Sequence, residues 1–331
     1  MKKIAIISDI HIGHSGNPPD KYFEQLNEIF FKPMKDFKPD FIFDLGDTTH
    51  TKLFLHSDDA ALFLEYGKRI KSLSKSVLIV FGTYSHVFEC YKAYSHLIDS
   101  NFRIIYKAEN LLFNDLNLLI LPEEYDKNDK YYEKFFKNII KYDFVLGHGI
   151  FSHIGYYIKD LSNIIQSKHA KVWNYKDFES ISYGGCYFGH VHQHSDFHNI
   201  IYPGSFSRTS FGDEKVKGYY IIEYDEELKK IVKKEFIINN LAPNYKDIYI
   251  DDLPLNNINN LMKSLRKHSE ENFKIRIIVN KNIEDSILNN LIAFTRNHSN
   301  SSIIKKIPRI LSEKDEKEKE KREMINKEIK K

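Results

Sequence analysis

Short apolar runs recur along the first part of the chain, and a polar residue follows most of them at once. These runs are rich in β-branched and aromatic residues, as is typical of buried strands. They cover Ile4–Ile7, Phe41–Leu45, Val77–Phe81, Leu116–Leu121 and Phe144–Leu146. Helical patterns over Lys21–Phe37 and Asp58–Leu73 separate the first three runs. This alternation predicts an α/β sheet whose strands end in functional loops.

Later strand-like runs lie closer together, at hairpin-like spacing. They cover Tyr183–Phe188, Ile200–Tyr202, Tyr219–Tyr224 and Ile231–Ile238. We therefore expect an α/β fold over residues 1–240, a two-sheet β-sandwich flanked by helices. The stretch Asn239–Lys246 indicates a linker.

A small α+β unit is predicted over residues 247–306. We expect its strands at Ile248–Ile250 and Ile275–Val279, and its helices at Ile258–His268 and Ile283–Thr295. The tail at 307–331 is rich in Glu, Lys, Asp and Arg. It is predicted to be either a solvated, disordered segment or a helix that binds a partner.

Composition limits the kinds of site. The formal net charge is only +3, so a nucleic-acid interface has to be a local patch. Cys90 and Cys186 form no CxxC pair, which argues against a disulfide framework and a thiolate zinc site. No apolar stretch approaches the roughly 18 residues of a membrane span, and we expect a cytoplasmic protein.

Five motifs of acids and histidines occur in order, mostly after strand-like runs. They are Asp9-Ile10-His11, Gly46-Asp47, Gly82-Thr83-Tyr84-Ser85-His86, Gly147-His148 and Gly189-His190-Val191-His192. In an extended segment, residues i and i+2 point to one side, so DxH and GHxH each direct two side chains at one centre. Carboxylates with imidazoles suit Mn²⁺, Fe or Zn²⁺. Each motif alone is common turn or surface chemistry, but the ordered set predicts a metal site.

This order resembles that of the calcineurin-like metallophosphoesterases: DxH, GD, GNH[DE], GH, GHxH. A second stretch looks like a segment of SbcD-like nucleases, the partners of SbcC/Rad-type ATPases. It comprises Tyr202-Pro203-Gly204-Ser205, Arg208, Phe211-Gly212-Asp213-Glu214 and Lys217-Gly218. The resemblance implies a Mn-dependent 3′-to-5′ DNA exonuclease of repair and recombination, with residues 247–306 as a capping domain. Single-strand endonuclease activity is a further expectation.

Carried over residue by residue, the resemblance implies two divalent metal ions, with Mn²⁺ expected. The first would be held by Asp9, His11 and His192, the second by His148 and His190, with Asp47 as the bridge. Two such ions can activate water and clamp both oxygens of an in-line displacement at phosphorus. His86 matches a non-ligand histidine that would protonate the leaving 3′ oxygen or stabilise the transition state.

The third motif departs from the family pattern. The family usually has an Asn that gives a neutral oxygen to the second metal, whereas Thr83-Tyr84-Ser85 precedes His86 here. Ser85 is our candidate for the Asn position, and Thr83 or a water molecule is the alternative. Val87 stands where an acid is expected. A hydroxyl is a weaker ligand than an amide carbonyl, so the affinity of the second metal is in question.

Further residues near the motifs are candidates for contacts with DNA, namely His50, Tyr84, His153, Arg208 and Lys215. Histidines and basic residues can contact phosphates, and an exposed tyrosine can stack on a base. Ordinary surface or packing roles are the alternative for each of them.

The resemblance also implies a homodimer that works with an SbcC-like ATPase. Two other functions stay open. The first is a phosphatase or cyclic-nucleotide phosphodiesterase with the same metals, against which the YPGS…KG stretch argues. The second is a non-catalytic scaffold that binds DNA ends or a partner, which the altered third motif favours.

Overall fold

Two compact units make up the chain in the computed structural model. Residues 1–54, 56–87, 89–125, 127–137, 141–152, 172–213, 216–250, 258–270, 273–279, 285–297 and 301–305 are described. The first unit runs from Met1 to Pro243, and the described residues from Asn244 onward belong to the second. The charged tail at 307–331, His153 and Lys215 lie outside the described residues.

Strands of the first unit alternate with short helices in its amino-terminal half. The strands are β1 (Lys2–Ile7), β2 (Phe41–Asp44), β3 (Ser76–Val80), β4 (Phe102–Ile105), β5 (Glu109–Phe113), β6 (Leu116–Leu121), β7 (Phe144–His148), β8 (Ile150–Phe151), β9 (Val172–Trp173), β10 (Cys186–Gly189), β11 (Ser195–Phe197), β12 (Ile200–Tyr202), β13 (Gly218–Asp225) and β14 (Lys230–Ile238). The α-helices are α1 (Pro19–Gln25), α2 (Lys32–Phe37), α3 (Asp58–Leu73), α4 (Tyr84–Val87) and α5 (Asp129–Lys137). A π-helical turn, Leu26–Phe31, joins α1 to α2, and 3₁₀ turns cover Cys90–Tyr94 and Tyr175–Phe178.

These strands form two six-stranded sheets of mixed direction. The first has the order β14-β13-β1-β2-β3-β4. In it, β1 to β4 run parallel, β13 is antiparallel to β1, and β14 is antiparallel to β13. The second has the order β11-β12-β10-β7-β6-β5, with β12, β10, β7 and β6 parallel. A separate pair, β8 and β9, completes the unit.

The core lies in layers because successive strand residues point to opposite faces. Ile4 and Ile6 of β1 pack with side chains of the second sheet, such as Leu118. Ala5 and Ile7 face the other way, towards a cluster built with α1, α2 and α3. On the outer face of the second sheet, α5 adds to a third cluster. Helices thus cover both outer faces, and the predicted α/β sandwich of two sheets is confirmed at this level.

Most predicted strands of the first unit match the observed ones within a residue or two. The run predicted from Tyr183 is wrong at its start, because β10 begins only at Cys186. Gly185 before it adopts φ +103°, which turns the chain into the strand. The strands β4, β5, β8, β9 and β11 were not predicted, because they are short or have charged and polar residues among the apolar ones.

The second unit has a parallel sheet of its own. Its elements are β15 (Asn244–Tyr249), α6 (Ile258–Glu270), β16 (Phe273–Val279), α7 (Asp285–Asn297) and β17 (Ser301–Lys305). The strand order is β15-β16-β17, and Ile275, Ile277, Leu265 and Leu291 lie in its core. β17 was not predicted, and the end of the expected linker is strand, because β15 pairs with β16. No helix in the described part of the chain is long and apolar enough to cross a membrane.

Candidate metal centre

The carboxyl ends of parallel strands from both sheets meet at one place. Loops after β1, β2 and β3 come from the first sheet, and loops after β6, β7 and β10 come from the second. Neighbouring parallel strands end at the same edge, so residues that follow them converge. The acids and histidines brought together there are Asp9, His11, Asp47, Glu123, His148, His190 and His192.

Asp9, His11 and His192 form the first group of converging ligand atoms. The Nε2 atoms of His11 and His192 lie 2.8 Å apart. Asp9 Oδ1 lies 4.0 Å from the former and 3.8 Å from the latter. Asp9 and His11 are buried, whereas a third of the His192 side chain is exposed. One carboxylate and two imidazoles at this spacing suit a single divalent ion.

A second group lies beside the first and contains Asp47, Glu123, His148 and His190. His148 Nε2 is 3.3 Å from Asp47 Oδ2 and 3.8 Å from Glu123 Oε2. His190 Nδ1 is 3.2 Å from the same Glu123 oxygen. Asp9 also groups with Asp47 and His148. Asp9 and Asp47 therefore link the two groups.

Backbone contacts orient His148 for this role. Its Nδ1–H donates to the carbonyl of Leu45 over 2.7 Å, so Nε2 is directed towards Asp47. Burial disfavours a charge on the imidazole, yet Asp47, Asp9 and Glu123 raise the pKa of His148 to about 10. Although burial opposes it, the charge of His148 and its hydrogen bond hold the pKa of Asp47 well below its usual value. Such a site stabilises positive charge, which a divalent ion can supply in place of a proton.

The histidines of the first group are kept neutral. Burial, aided by the charge of neighbouring His192, lowers the pKa of His11 well below its usual value. Burial also lowers the pKa of His192, although Asp9 opposes the shift. Neutral imidazole is the form that binds a metal, so these rings are ready ligands at neutral pH.

Several of the converging residues adopt a left-handed backbone conformation that non-glycine residues rarely use. The φ angles are 49° for Asp9, 53° for His11, 49° for Asp47 and 89° for His190. Such conformations cost free energy and concentrate at functional sites. Hydrogen bonds between loops hold them, since the His190 backbone nitrogen donates to the Asp9 carboxylate at 3.1 and 3.2 Å and that of His11 donates to the Asp47 carbonyl at 2.9 Å.

Thr83 is the hydroxyl residue of the third motif that reaches the second group. Its backbone nitrogen donates to Asp47 Oδ1 at 2.6 Å. Its Oγ1 donates to Glu123 Oε2 at 3.0 Å and lies 3.3 Å from both His148 Nε2 and His190 Nδ1. Ser85 instead lies exposed on the short helix α4. Of the two hydroxyl side chains considered for the Asn position, the structure brings Thr83 into the group.

His86 lies beside the first group, where its ring centre is 4.9 Å from that of His11. Its Nδ1–H donates to the backbone carbonyl of His50, and Thr49 Oγ1 donates to the His86 carbonyl at 2.6 Å. Val87, in place of the expected acid, is buried in the helix-facing core. His11, His50 and His86 also form a convergent trio. Burial and neighbouring His14 lower the pKa of His50 to about 4.

The other described candidates for DNA contacts differ in their placement. Tyr84 is 49% exposed and meets Tyr125 edge-on, with 6.3 Å between ring centres. Arg208 donates from Nη1 to the carbonyls of Ala242 and Pro243 at 3.3 and 2.8 Å. Part of its guanidinium therefore holds the end of the first unit in place.

Ser205 and Lys217 hold the backbone of His192 in place through hydrogen bonds. The His192 carbonyl accepts from Lys217 Nζ at 2.8 Å and from the Ser205 nitrogen at 3.2 Å. Lys217 Nζ also donates to Ser205 Oγ at 2.8 Å and is buried. These residues position a metal-ligand candidate and are themselves withdrawn from solvent.

Glu123 is the residue that sequence reasoning missed. It follows β6 in Leu121-Pro122-Glu123, so it carries the same signal as the other candidates, a polar residue just beyond an apolar run. No recurring motif marks it, and only the position of β6 beside β7 places its carboxylate among the histidines.

Comparisons with known proteins add no identification. No family model matches the chain, and no curated protein matches it in sequence. A crystal structure is 14% identical, with a TM-score of 0.41, over 71% of this chain and 99% of its own. A Thermotoga maritima protein solved by solution NMR is 13% identical, with a TM-score of 0.30, over 72% of this chain and 99% of its own.

A glutamine-dependent NAD+ synthetase from Acinetobacter baumannii, solved with adenosine diphosphate, is 11% identical with a TM-score of 0.34. That match covers 92% of this chain and 64% of the synthetase. At TM-scores below 0.5, none of these three likenesses bears on the fold or the function of the chain.

Proposed function

We propose that the chain is a divalent-metal-dependent phosphodiesterase that cleaves DNA, an SbcD-like nuclease with the metallophosphoesterase fold. One observation carries the proposal: acids and imidazoles from both sheets converge in two adjacent groups linked by Asp9 and Asp47. The motif order and the stretch from Tyr202 to Gly218, which looks like a segment of SbcD-like nucleases, support DNA as the substrate.

The residues present fit two divalent ions, with Asp9, His11 and His192 around the first and His148 and His190 around the second. Asp47 would be the bridge, since it groups with His148 and with Asp9 of the first set. When bound, two divalent ions would lower the pKa of a water molecule and neutralise charge at phosphorus. Mixed carboxylate and imidazole donors favour Mn²⁺ over Mg²⁺.

His86 is the proposed proton donor to the leaving 3′ oxygen. Its Nδ1–H is committed to the His50 carbonyl, which orients the ring and leaves Nε2 for transfer to or from the substrate. The acceptor is a backbone carbonyl, so it fixes the direction of the ring. A homodimer and an SbcC/Rad-type ATPase partner belong to the same proposal.

Nuclease assays on end-labelled duplex DNA test this function, with Mn²⁺ and Mg²⁺ compared for wild type and Asp47→Asn. His96→Gln is the matched control, because His96 is exposed and belongs to none of the five motifs. We expect Mn²⁺-dependent release of label, lost in Asp47→Asn by at least about a hundredfold and unchanged in His96→Gln.

Two other results would contradict the proposal. Faster hydrolysis of a phosphomonoester or a cyclic nucleotide than of DNA would indicate a small-molecule enzyme. Absence of hydrolysis with every metal and substrate, together with absence of bound Mn²⁺, would indicate a scaffold.

A further inference from the structure

We infer that Glu123 is a direct ligand of the second metal ion and takes the place of the missing amide oxygen. The inference rests on the proposed two-metal site and adds to it a carboxylate that no motif marks. Thr83 would then act as a hydrogen-bonding partner of this carboxylate.

Three contacts direct one oxygen of Glu123 at the second group. Oε2 lies 3.2 Å from His190 Nδ1 and 3.8 Å from His148 Nε2. The hydroxyl of Thr83 donates to the same oxygen at 3.0 Å. The ligand atoms of Glu123, His148 and His190 all lie within 4.8 Å of one another. An ion held by both imidazoles would therefore also be within reach of the Glu123 carboxylate.

The other carboxylate oxygen has a separate task. Oε1 accepts a hydrogen bond from the Tyr125 hydroxyl at 2.8 Å, which fixes the rotation of the carboxylate. The backbone nitrogen of Glu123 donates to the Phe81 carbonyl at 3.3 Å, which anchors the loop to the end of β3. An outer hydrogen bond of this kind is what orients a carboxylate that binds metal.

The Glu123 side chain is buried, and burying a carboxylate without a charged partner costs free energy. Glu123 is only 4% exposed, and its ion-pair partners among the described residues are the histidines His148 and His190. A buried carboxylate needs a compensating charge, and an ion held by the same histidines provides it.

A third carboxylate changes what the site is expected to prefer. It adds negative charge to the second position, where a neutral amide would add none. A hydroxyl ligand from the third motif would give the second position a low affinity for metal. Ligation by Glu123 instead predicts a high affinity there and a preference for Mn²⁺, which binds carboxylate oxygens well.

Metal binding tests the inference directly, by calorimetry and by electron paramagnetic resonance with Mn²⁺ alone. Wild type should bind two spin-coupled Mn²⁺ ions. Glu123→Ala should keep one ion, lose the coupling and bind the second at least about 10–100-fold more weakly, because removing even outer partners of a ligand costs that much. Glu124→Ala is the matched control, since Glu124 is also buried but accepts from the backbone of Ala108 and from Tyr131.

Glu123→Asp is a second variant, in case the first one does not fold. It keeps the negative charge beside the histidines, but its side chain is one methylene shorter, so the carboxylate oxygen lies farther from the second metal position. Weaker binding of the second ion in this variant supports ligation. Two coupled ions of wild-type affinity in both Glu123 variants would overturn the inference and leave the proposed function intact. A wild-type protein that binds no Mn²⁺ would overturn both.

Discussion

Gly82 lies directly against Asp47, the proposed bridge between the two metal positions. A β-carbon built on Gly82 would lie 2.5 Å from the Asp47 backbone nitrogen and closer still to its carboxylate. Real β-carbons essentially never come within 3.0 Å of another atom in this way. The glycine that opens the third motif therefore serves the second motif, because it leaves room for the Asp47 carboxylate.

Gly82→Ala should therefore displace Asp47 and lower Mn²⁺ affinity by at least about tenfold, with a loss of about 1–3 kcal/mol in stability. Gly212→Ala is the control, since a β-carbon there would meet only Ser210 Oγ at 3.9 Å. Calorimetric Mn²⁺ titration and urea unfolding measure the two effects. Equal Mn²⁺ affinity in both variants would show that Asp47 does not depend on this close approach.

His86→Gln should separate catalysis from metal binding. The side chain is not needed for either proposed metal position, so the variant should still bind two Mn²⁺ ions. Loss of a positioned proton donor should lower kcat on DNA by about 10²–10⁴-fold. A loss of one Mn²⁺ ion would instead show that His86 acts as a ligand with His11 and His50.

The stability of the metal-free protein should depend on His50 below neutral pH. Its folded-state pKa of about 4 lies below the ordinary value of about 6.5, so the unfolded chain takes up the proton first. The contribution is therefore complete above about pH 6.5 and is lost as the pH falls towards 4. After allowance for partial solvent screening, we expect a loss of about 1 kcal/mol between about pH 7 and pH 5.

Urea unfolding in a chelator, with wild type compared to His50→Gln, measures this loss. The free energy of unfolding of His50→Gln should change less with pH than that of the wild type, while His96→Gln should follow the wild type. Identical slopes for wild type and His50→Gln would refute the assignment.

The two cysteines should differ in reactivity. Cys186 is fully buried, and burial raises the pKa of its thiol to about 12 despite a hydrogen bond with Ser182. Its thiolate fraction near neutral pH is then about a thousandfold below that of an ordinary cysteine. Cys90 is partly exposed. Native protein should release one equivalent of chromophore from a thiol reagent, none in Cys90→Ser, and the second only in denaturant.

Much of the sandwich and most of the candidate ligands were predictable because their signals are local. An apolar run such as Ile4–Ile7 can satisfy its backbone and bury its side chains only as an interior strand. A polar pair directly after it, such as Asp9 and His11, must then emerge at the strand end. Since parallel strands end at one edge, the order of motifs already predicted a common centre.

Other features depended on which strands became neighbours. Glu123 joins the histidines because β6 lies beside β7 in the second sheet, and no local pattern specifies that pairing. The choice between Thr83 and Ser85 follows from how the loop after β3 turns into α4, where one side chain faces His148 and the other faces solvent. Local sequence determined which residues could carry the chemistry. Packing of the two sheets, through contacts between residues distant in sequence, decided which of them meet.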